Sequence, residues 1–213
     1  MNTIILEKTR PRVFFDLDLH SDVWDQTLTF ETGKYYLIEA ESGTGKSSLF
    51  SYIYGYRNDF MGMFRFDSTE LTSISPKQWD NIRTNRLSLL FQELRLFPEL
   101  TAFENIELKN QLTHHKTRQE IDEMLALLGI PDKRDVPCAK LSWGQQQRVA
   151  IIRSLCQPYQ FLLLDEPISH LDDKNAAIIA GLVQKEAEAK GAGIIVSSIG
   201  KQLPLSYHHR YAL

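Results

Sequence analysis

The stretch Ala40-Glu41-Ser42-Gly43-Thr44-Gly45-Lys46-Ser47 is rich in glycine and closes on Gly-Lys-Ser. A compact apolar run, Tyr35–Ala40, precedes it, and a helical pattern from about Lys46 to Tyr54 follows. This is a context that holds phosphate. Glycines at 43 and 45 let the chain turn sharply, so that consecutive N–H groups face phosphate oxygens, and the helix start adds a positive dipole end. Lys46 is expected to reach the β- and γ-phosphates of a nucleotide, and the Ser47 hydroxyl to ligate Mg²⁺. Ser42, Gly43, Thr44, Gly45 and Ser48 complete the expected binding set. The pattern's first glycine is Ala40 here, a mild change if that residue stays extended. A phosphate loop by itself says only nucleotide, because kinases, GTPases and helicases all carry one.

Four further segments narrow the class. Leu141-Ser142-Trp143-Gly144-Gln145 stands at the start of a predicted helix. Phe161–Leu164 is an apolar run that ends in two carboxylates, Asp165-Glu166, followed by Pro167 and by Ser169-His170-Leu171-Asp172. Upstream lie Leu90-Phe91-Gln92, Leu96-Phe97-Pro98 and Thr101-Ala102-Phe103-Glu104-Asn105. In this order the segments resemble the signature motif, Walker B motif, D-loop and Q-loop of the ATP-binding cassette (ABC) proteins. The resemblance runs from about Leu28 to Ser198.

The resemblance implies an α/β P-loop NTPase fold with a mainly parallel central sheet, an N-terminal antiparallel β region and an inserted α-helical subdomain. It implies a single domain over 1–213, with a RecA-like core at about 1–93 and 158–213 and the helical part at about 94–157. ATP and Mg²⁺ are the implied ligands. Asp165, Ser47 and Gln92 would serve the metal, and Glu166 would act as general base beside Lys46 and Gln92. Ser142, Gly144 and Gln145 would meet the γ-phosphate held by a second ABC subunit, identical or not. The implied activity is ATP hydrolysis that drives a separate integral membrane permease, received in the groove around Gln92, Leu96, Phe97 and Pro98. Leu-Phe-Pro-Glu-Leu-Thr (96–101) and the lead-in Arg134–Leu141 are most similar to the small subunits of lipoprotein-release, macrolide-export and cell-division systems.

Two further positions depart from the family pattern. Trp143 replaces the first glycine of the signature, where it could add contact area at a dimer interface. Where a switch histidine is expected after the last core strand, the run Ile194-Ile195-Val196-Ser197-Ser198-Ile199 offers Ser198. A serine reaches less far and carries no positive charge, and loss of one transition-state contact costs about 3 kcal/mol, roughly a hundredfold in rate. Slow hydrolysis, or a nucleotide sensor without useful turnover, is therefore the alternative. A DNA-repair or ribosomal cassette would bring a coiled-coil insertion, a tandem cassette or basic extensions, none of which is in the sequence. The adenine-stacking aromatic is expected among Phe14, Phe15 and Trp24.

The elements that must position these groups are legible in part. Thr3–Leu6, Val13–Leu19, Tyr35–Ala40, Ser88–Gln92, Phe161–Leu164 and Gly193–Ser197 read as strands, with Arg210–Leu213 as an edge. Thr101–Leu112, Thr117–Leu128, Ser142–Cys156 and Asp173–Lys190 carry apolar residues at helical spacing, and Thr117 with Glu120 forms a capping-box pattern. Strands alternating with helices imply parallel βαβ units. Apolar residues at 43% and charged residues at 24% suit a globular chain that needs no metal or disulfide to fold. Cys138 and Cys156 show no ligand spacing, and the pairs His114-His115 and His208-His209 read as solvated. The net charge of −3 speaks against a nucleic-acid partner. With no run of about 18 apolar residues and no leader pattern, a cytoplasmic location at the inner face of the membrane, through the permease, is expected.

Overall fold

The computed structural model describes every residue of 1–213 except Ser42. Five strands pair in parallel throughout, in the order β6-β7-β8-β3-β9. They are β3 (Tyr35–Glu39), β6 (Leu87–Leu90), β7 (Phe161–Asp165), β8 (Gly193–Ser198) and the edge strand β9 (His209–Ala212). A second, antiparallel sheet runs β2-β1-β4-β5, from β1 (Thr3–Pro11), β2 (Thr27–Glu31), β4 (Phe60–Phe66) and β5 (Thr69–Glu70). The helices are α1 (Lys46–Ile53), α2 (Pro76–Asn85), α3 (Ala102–Asn110), α4 (Arg118–Leu127), α5 (Trp143–Leu155) and α6 (Asp173–Lys190).

The apolar runs of the parallel strands are explained by burial on both faces. Along β3, Tyr35 and Leu37 join the core shared with the helices between β6 and β7, while Tyr36 and Ile38 join the core beneath the antiparallel sheet. β7 divides in the same way, Leu162 and Leu164 to one side and Phe161 and Leu163 to the other. Because all five strands run in one direction, the carboxyl ends of β3, β7 and β8 share an edge, which is where a parallel sheet collects its functional loops.

Three departures from the expected elements have physical causes. Val13–Leu19 is not a strand: β1 runs on to Pro11 and a single 3₁₀ turn, Arg12–Phe14, follows. Arg10 folds the chain there by donating from Nη1 to the carbonyls of Phe14, Phe15 and Leu17 at 3.2, 3.1 and 3.1 Å. Second, β2, β4 and β5 were not expected where they occur. The Phe60, Phe64 and Phe66 side chains of β4 are buried, and Gly62 at φ 79° passes so close to Lys8 that a Cβ would fall 2.2 Å from its carbonyl oxygen. Third, α2 was unforeseen, although Ser75, Pro76 and Gln78 form a capping box with proline at the first turn. The expected box of Thr117 and Glu120 forms at α4.

Candidate active site

β3 delivers the chain into the phosphate loop, and α1 begins at Lys46. Gly43 and Gly45 sit at φ 87° and 100°, which only glycine adopts without strain. Gly45 is also closely approached: a Cβ there would lie 3.0 Å from a Phe14 ring carbon and 3.1 Å from Trp24. As N-cap of α1, Gly45 provides no side-chain acceptor, so the first N–H groups of the helix are left for an anion. Thr44 Oγ1 donates to the Glu41 carbonyl at 2.9 Å, and Ser48 Oγ accepts from Arg57 Nη1 at 2.9 Å. The expected contribution of Ser42 lies outside the described residues.

Over this loop opens a cavity of about 400 Å³ lined by Val13, Phe14, Gly43, Gly45, Lys46, Ser47, Ser48, Gln92 and Ile199. Of these lining residues, Lys46 places its Nζ 2.9 Å from Glu166 Oε1, both side chains nearly buried. Ser47 Oγ lies 3.3 Å from Asp165 Oδ2. Thus four residues distant in sequence meet at one place, two from the phosphate loop and two from the end of β7. Burial raises the Asp165 carboxyl above its ordinary range, against the pull of the Ser197 hydroxyl, Lys46 and Ser47 toward the charged form. A hydroxyl and a carboxylate side by side are hard oxygen donors, the type that suits Mg²⁺.

Glu166 is held by its backbone. Its φ of 49° is left-handed, a strained state for a non-glycine residue that is common at functional sites. The Glu166 N–H donates to the Ser197 carbonyl at 3.2 Å and Ser197 Oγ at 3.3 Å, and its carbonyl accepts from Gln147 Nε2 at 3.2 Å. Ser197 Oγ also donates to Asp165 Oδ1. Ser197 and Gln147 are therefore part of the site although sequence reasoning passed over both. Ser197 owes its place to its register opposite Asp165 in the parallel pair β7–β8, which the sequence does not show.

Other expected residues stand elsewhere. Ser198 is buried and donates to the Lys201 carbonyl at 2.6 Å, and its neighbour Ile199 lines the cavity. Of the three aromatics, Phe14 lines the cavity, Phe15 faces solvent, and Trp24 is buried beneath the loop with Nε1 donating to the Thr44 carbonyl at 3.0 Å. Trp24 is thus a buttress of the loop.

The signature residues form a separate face. Ser142 caps α5, its Oγ accepting from the Gln145 N–H at 3.3 Å while Gln145 Oε1 accepts from the Ser142 N–H at 2.9 Å. A Cβ on Gly144 would lie 3.2 Å from Leu171, so the signature packs on the Ser169–Asp172 loop. Exposed Trp143 completes that contact edge-on with His170, ring centroids 5.6 Å apart. No hydrogen bond of Ser142 or Gln145 reaches residues 43–48 among the described residues.

The family described as ABC transporter matches residues 23–169. The ABC transporter ATP-binding protein YtrE of Bacillus subtilis is 29% identical over 192 residues, covering 89% of this chain and 83% of the relative. The lipoprotein-releasing system ATP-binding protein LolD 1 of Chlorobium chlorochromatii is 32% identical over 82% of this chain and 74% of its own length. Other curated relatives are longer, and the chain spans 55% of two of them. Among solved structures, the dimeric cassette MJ0796 superposes with a TM-score of 0.77 at 26% identity, over 92% of this chain and 87% of its own. The same cassette dimer bound to ADP and Pi, a post-hydrolysis state, gives 0.75 at 25% identity. With the fold, the phosphate loop and the ordered motifs in agreement, the chain belongs to the ABC transporter family as one of its ATP-binding cassette ATPases.

Proposed function

We propose that this chain is the ATP-binding and ATP-hydrolysing subunit of a transporter and works as a pair of cassettes joined head to tail. The observation that carries this is the meeting of Lys46 and Ser47, which line the cavity over the phosphate loop, with Glu166 and Asp165 at the end of β7. ATP is the substrate, its phosphates taken by the N–H groups of 43–48 and by Lys46. Mg²⁺ would be held by Ser47 and Asp165, with Gln92 at the cavity rim, and would offset phosphate charge. Drawn to the phosphates, Lys46 leaves Glu166, whose carboxylate then takes the proton of the attacking water. The left-handed backbone at Glu166, fixed by Ser197 and Gln147, aims that carboxylate before substrate arrives.

The signature face supports the pairing. Ser142, Gly144 and Gln145 present a capped helix start to solvent, away from the chain's own phosphate loop, so their anion-binding geometry serves a second cassette, identical or not. Among the described residues no helix is long and apolar enough to cross a membrane, which fits a permease supplied by a separate chain or segment. We place its contact in the cavity of about 240 Å³ next to Gln92, lined by Tyr54, Tyr56, Phe91, Phe97, Lys109 and Arg153 among others. Its lining includes cations and no carboxylate, which fits a docking helix that carries an acid. The chain then sits in the cytoplasm, at the inner face of the membrane.

The test is Mg-ATPase turnover with gel filtration in ATP, on the natural chain and on Glu166→Gln. Turnover abolished in the variant, with the variant captured as an ATP-bound dimer, is expected; equal turnover in both removes Glu166 from the mechanism. A nucleotide-sensing reading is favoured by one observation, the Ser198 hydroxyl bound to Lys201 away from the cavity. Under that reading ATP binds and dimerises the natural chain with no turnover, and Ser198→His starts it.

A further inference from the structure

The loop that carries Gln92 bends through two consecutive residues in the left-handed region, Leu94 at φ 60° and Arg95 at φ 49°. Neither is glycine, so the bend persists only where the surroundings hold it. Two short backbone bonds tighten it, Leu94 N–H to the Phe91 carbonyl at 2.9 Å and Arg95 N–H to the Glu93 carbonyl at 2.6 Å. Both bent residues turn their own carbonyls toward one guanidinium. Arg153, near the carboxyl end of α5, donates from Nη1 to the Arg95 carbonyl at 2.7 Å and from Nη2 to the Leu94 carbonyl.

Arg153 has no carboxylate partner among the described residues, although burial works against its charge. Its charge is committed to the loop. Only a planar fork can serve two carbonyls in this way; a lysine ammonium, as a point charge on a flexible stem, holds them without fixing their directions. The loop is anchored on its other sides by Leu94, buried in the core, and by the Arg95 guanidinium over the Phe91 ring at 3.8 Å. Gln92 itself is exposed and lines the phosphate-loop cavity.

We propose that Arg153 is the positioning residue for Gln92: its two-pronged hold on the Leu94 and Arg95 carbonyls fixes the bent loop and so sets Gln92 at the Mg²⁺ side of the nucleotide. The proposal rests on the reading of Gln92 as a group that serves the metal and the γ-phosphate. It also links the two faces of the molecule. α5 is capped by the signature residue Ser142 and holds the Gln92 loop near its other end, so a tilt of this one helix moves both.

The experiment measures ATP affinity by fluorescence titration with Mg²⁺ and again with EDTA, in the Glu166→Gln protein so that ATP is not consumed. The ratio of the two affinities is the Mg²⁺ advantage. Gln92→Ala is expected to cut that ratio about tenfold, and Arg153→Gln to cut it by a similar factor. Arg153→Lys, which keeps charge and fold, is expected to fall with Arg153→Gln, and affinity in EDTA to hold for all three. The Gln92→Ala/Arg153→Gln double variant should lose no more than either single, because both act through one group. Factors that multiply in the double variant, or affinity lost equally in Mg²⁺ and EDTA, overturn the proposal. If Gln92→Ala leaves the ratio unchanged, the reading of Gln92 fails, and hydrogen exchange still decides the role of Arg153. Its variants must speed exchange at residues 91–96 relative to β7, and unchanged exchange there overturns the hold itself.

Discussion

Lys109→Met should stabilise the isolated protein, and the gain should disappear in alkali. Lys109 lies half-buried in the groove beside Gln92, its Nζ reaching, among the described residues, only the Arg83 carbonyl at 3.4 Å. Burial first, and the Arg153 charge second, push its ammonium from 10.5 down to about 8. A depressed lysine means that the unfolded chain holds the proton more tightly than the folded one between pH 8 and 10.5. Stability therefore carries the whole penalty below pH 8 and recovers as pH rises through that window. The shift corresponds to about 3 kcal/mol at most, and residual contact with solvent reduces this to about 2 kcal/mol. Methionine keeps the apolar stem, and the Arg83 carbonyl retains its bond from Gln157 Nε2 at 3.0 Å, so little opposes the gain. For a domain of this size about 2 kcal/mol raises Tm by roughly 4–8 °C. Calorimetry of both proteins at pH 7 and pH 10.5 is the assay. A variant that melts at or below the natural protein at pH 7, or that keeps its full advantage at pH 10.5, refutes the account of Lys109 as an uncompensated buried cation.

Gly45→Ala combines a φ of 100° with contacts to Phe14 and Trp24 at 3.0 and 3.1 Å. It should lower ATP affinity by at least about tenfold while Tm falls only a few degrees, and titration of unchanged affinity would show that the loop tolerates the methyl group. Ser197→Ala removes the hydroxyl that donates to Asp165 and accepts from the Glu166 N–H. Its Mg²⁺-dependent ATP affinity should fall by about tenfold and its affinity in EDTA should hold, since outer groups that orient a metal ligand carry that much.

What the sequence made legible follows the physics of each segment. The parallel strands announced themselves because burial on both faces demands unbroken apolar runs such as Phe161–Leu164, and α4 because Thr117 with Glu120 fixes its start. Val13–Leu19 misled because its apolar residues alternate as in a strand, while the decisive influence is the Arg10 guanidinium gathering three carbonyls. β2 and β4 escaped notice because the partner that gives them meaning, β1, is far away in the chain. The phosphate loop and the Asp165-Glu166 pair were readable since spacing alone defines them. Trp24 was not, because its role depends on a bond to Thr44 across twenty residues of chain.

The two departures from the family pattern acquire different weights in three dimensions. Trp143 stands exposed on the signature face, edge-on to His170, on the side the proposed function assigns to a second cassette. Ser198 lies inside the fold, and its hydroxyl is already spent on the Lys201 carbonyl. Lys201 in turn donates to the Leu171 carbonyl and pairs with Asp173 Oδ1 at 2.9 Å. The segment after β8 is therefore tied to the Ser169–Asp172 loop, which packs on the signature. The Ser198 hydroxyl thus braces the end of β8 toward the Ser169–Asp172 loop, and under the proposed function it gives the phosphates no contact of its own. Under the proposed function, Glu166, held by a strained backbone and by hydrogen bonds to Ser197 and Gln147, is therefore expected to carry the larger share of hydrolysis, and Ser198 the smaller.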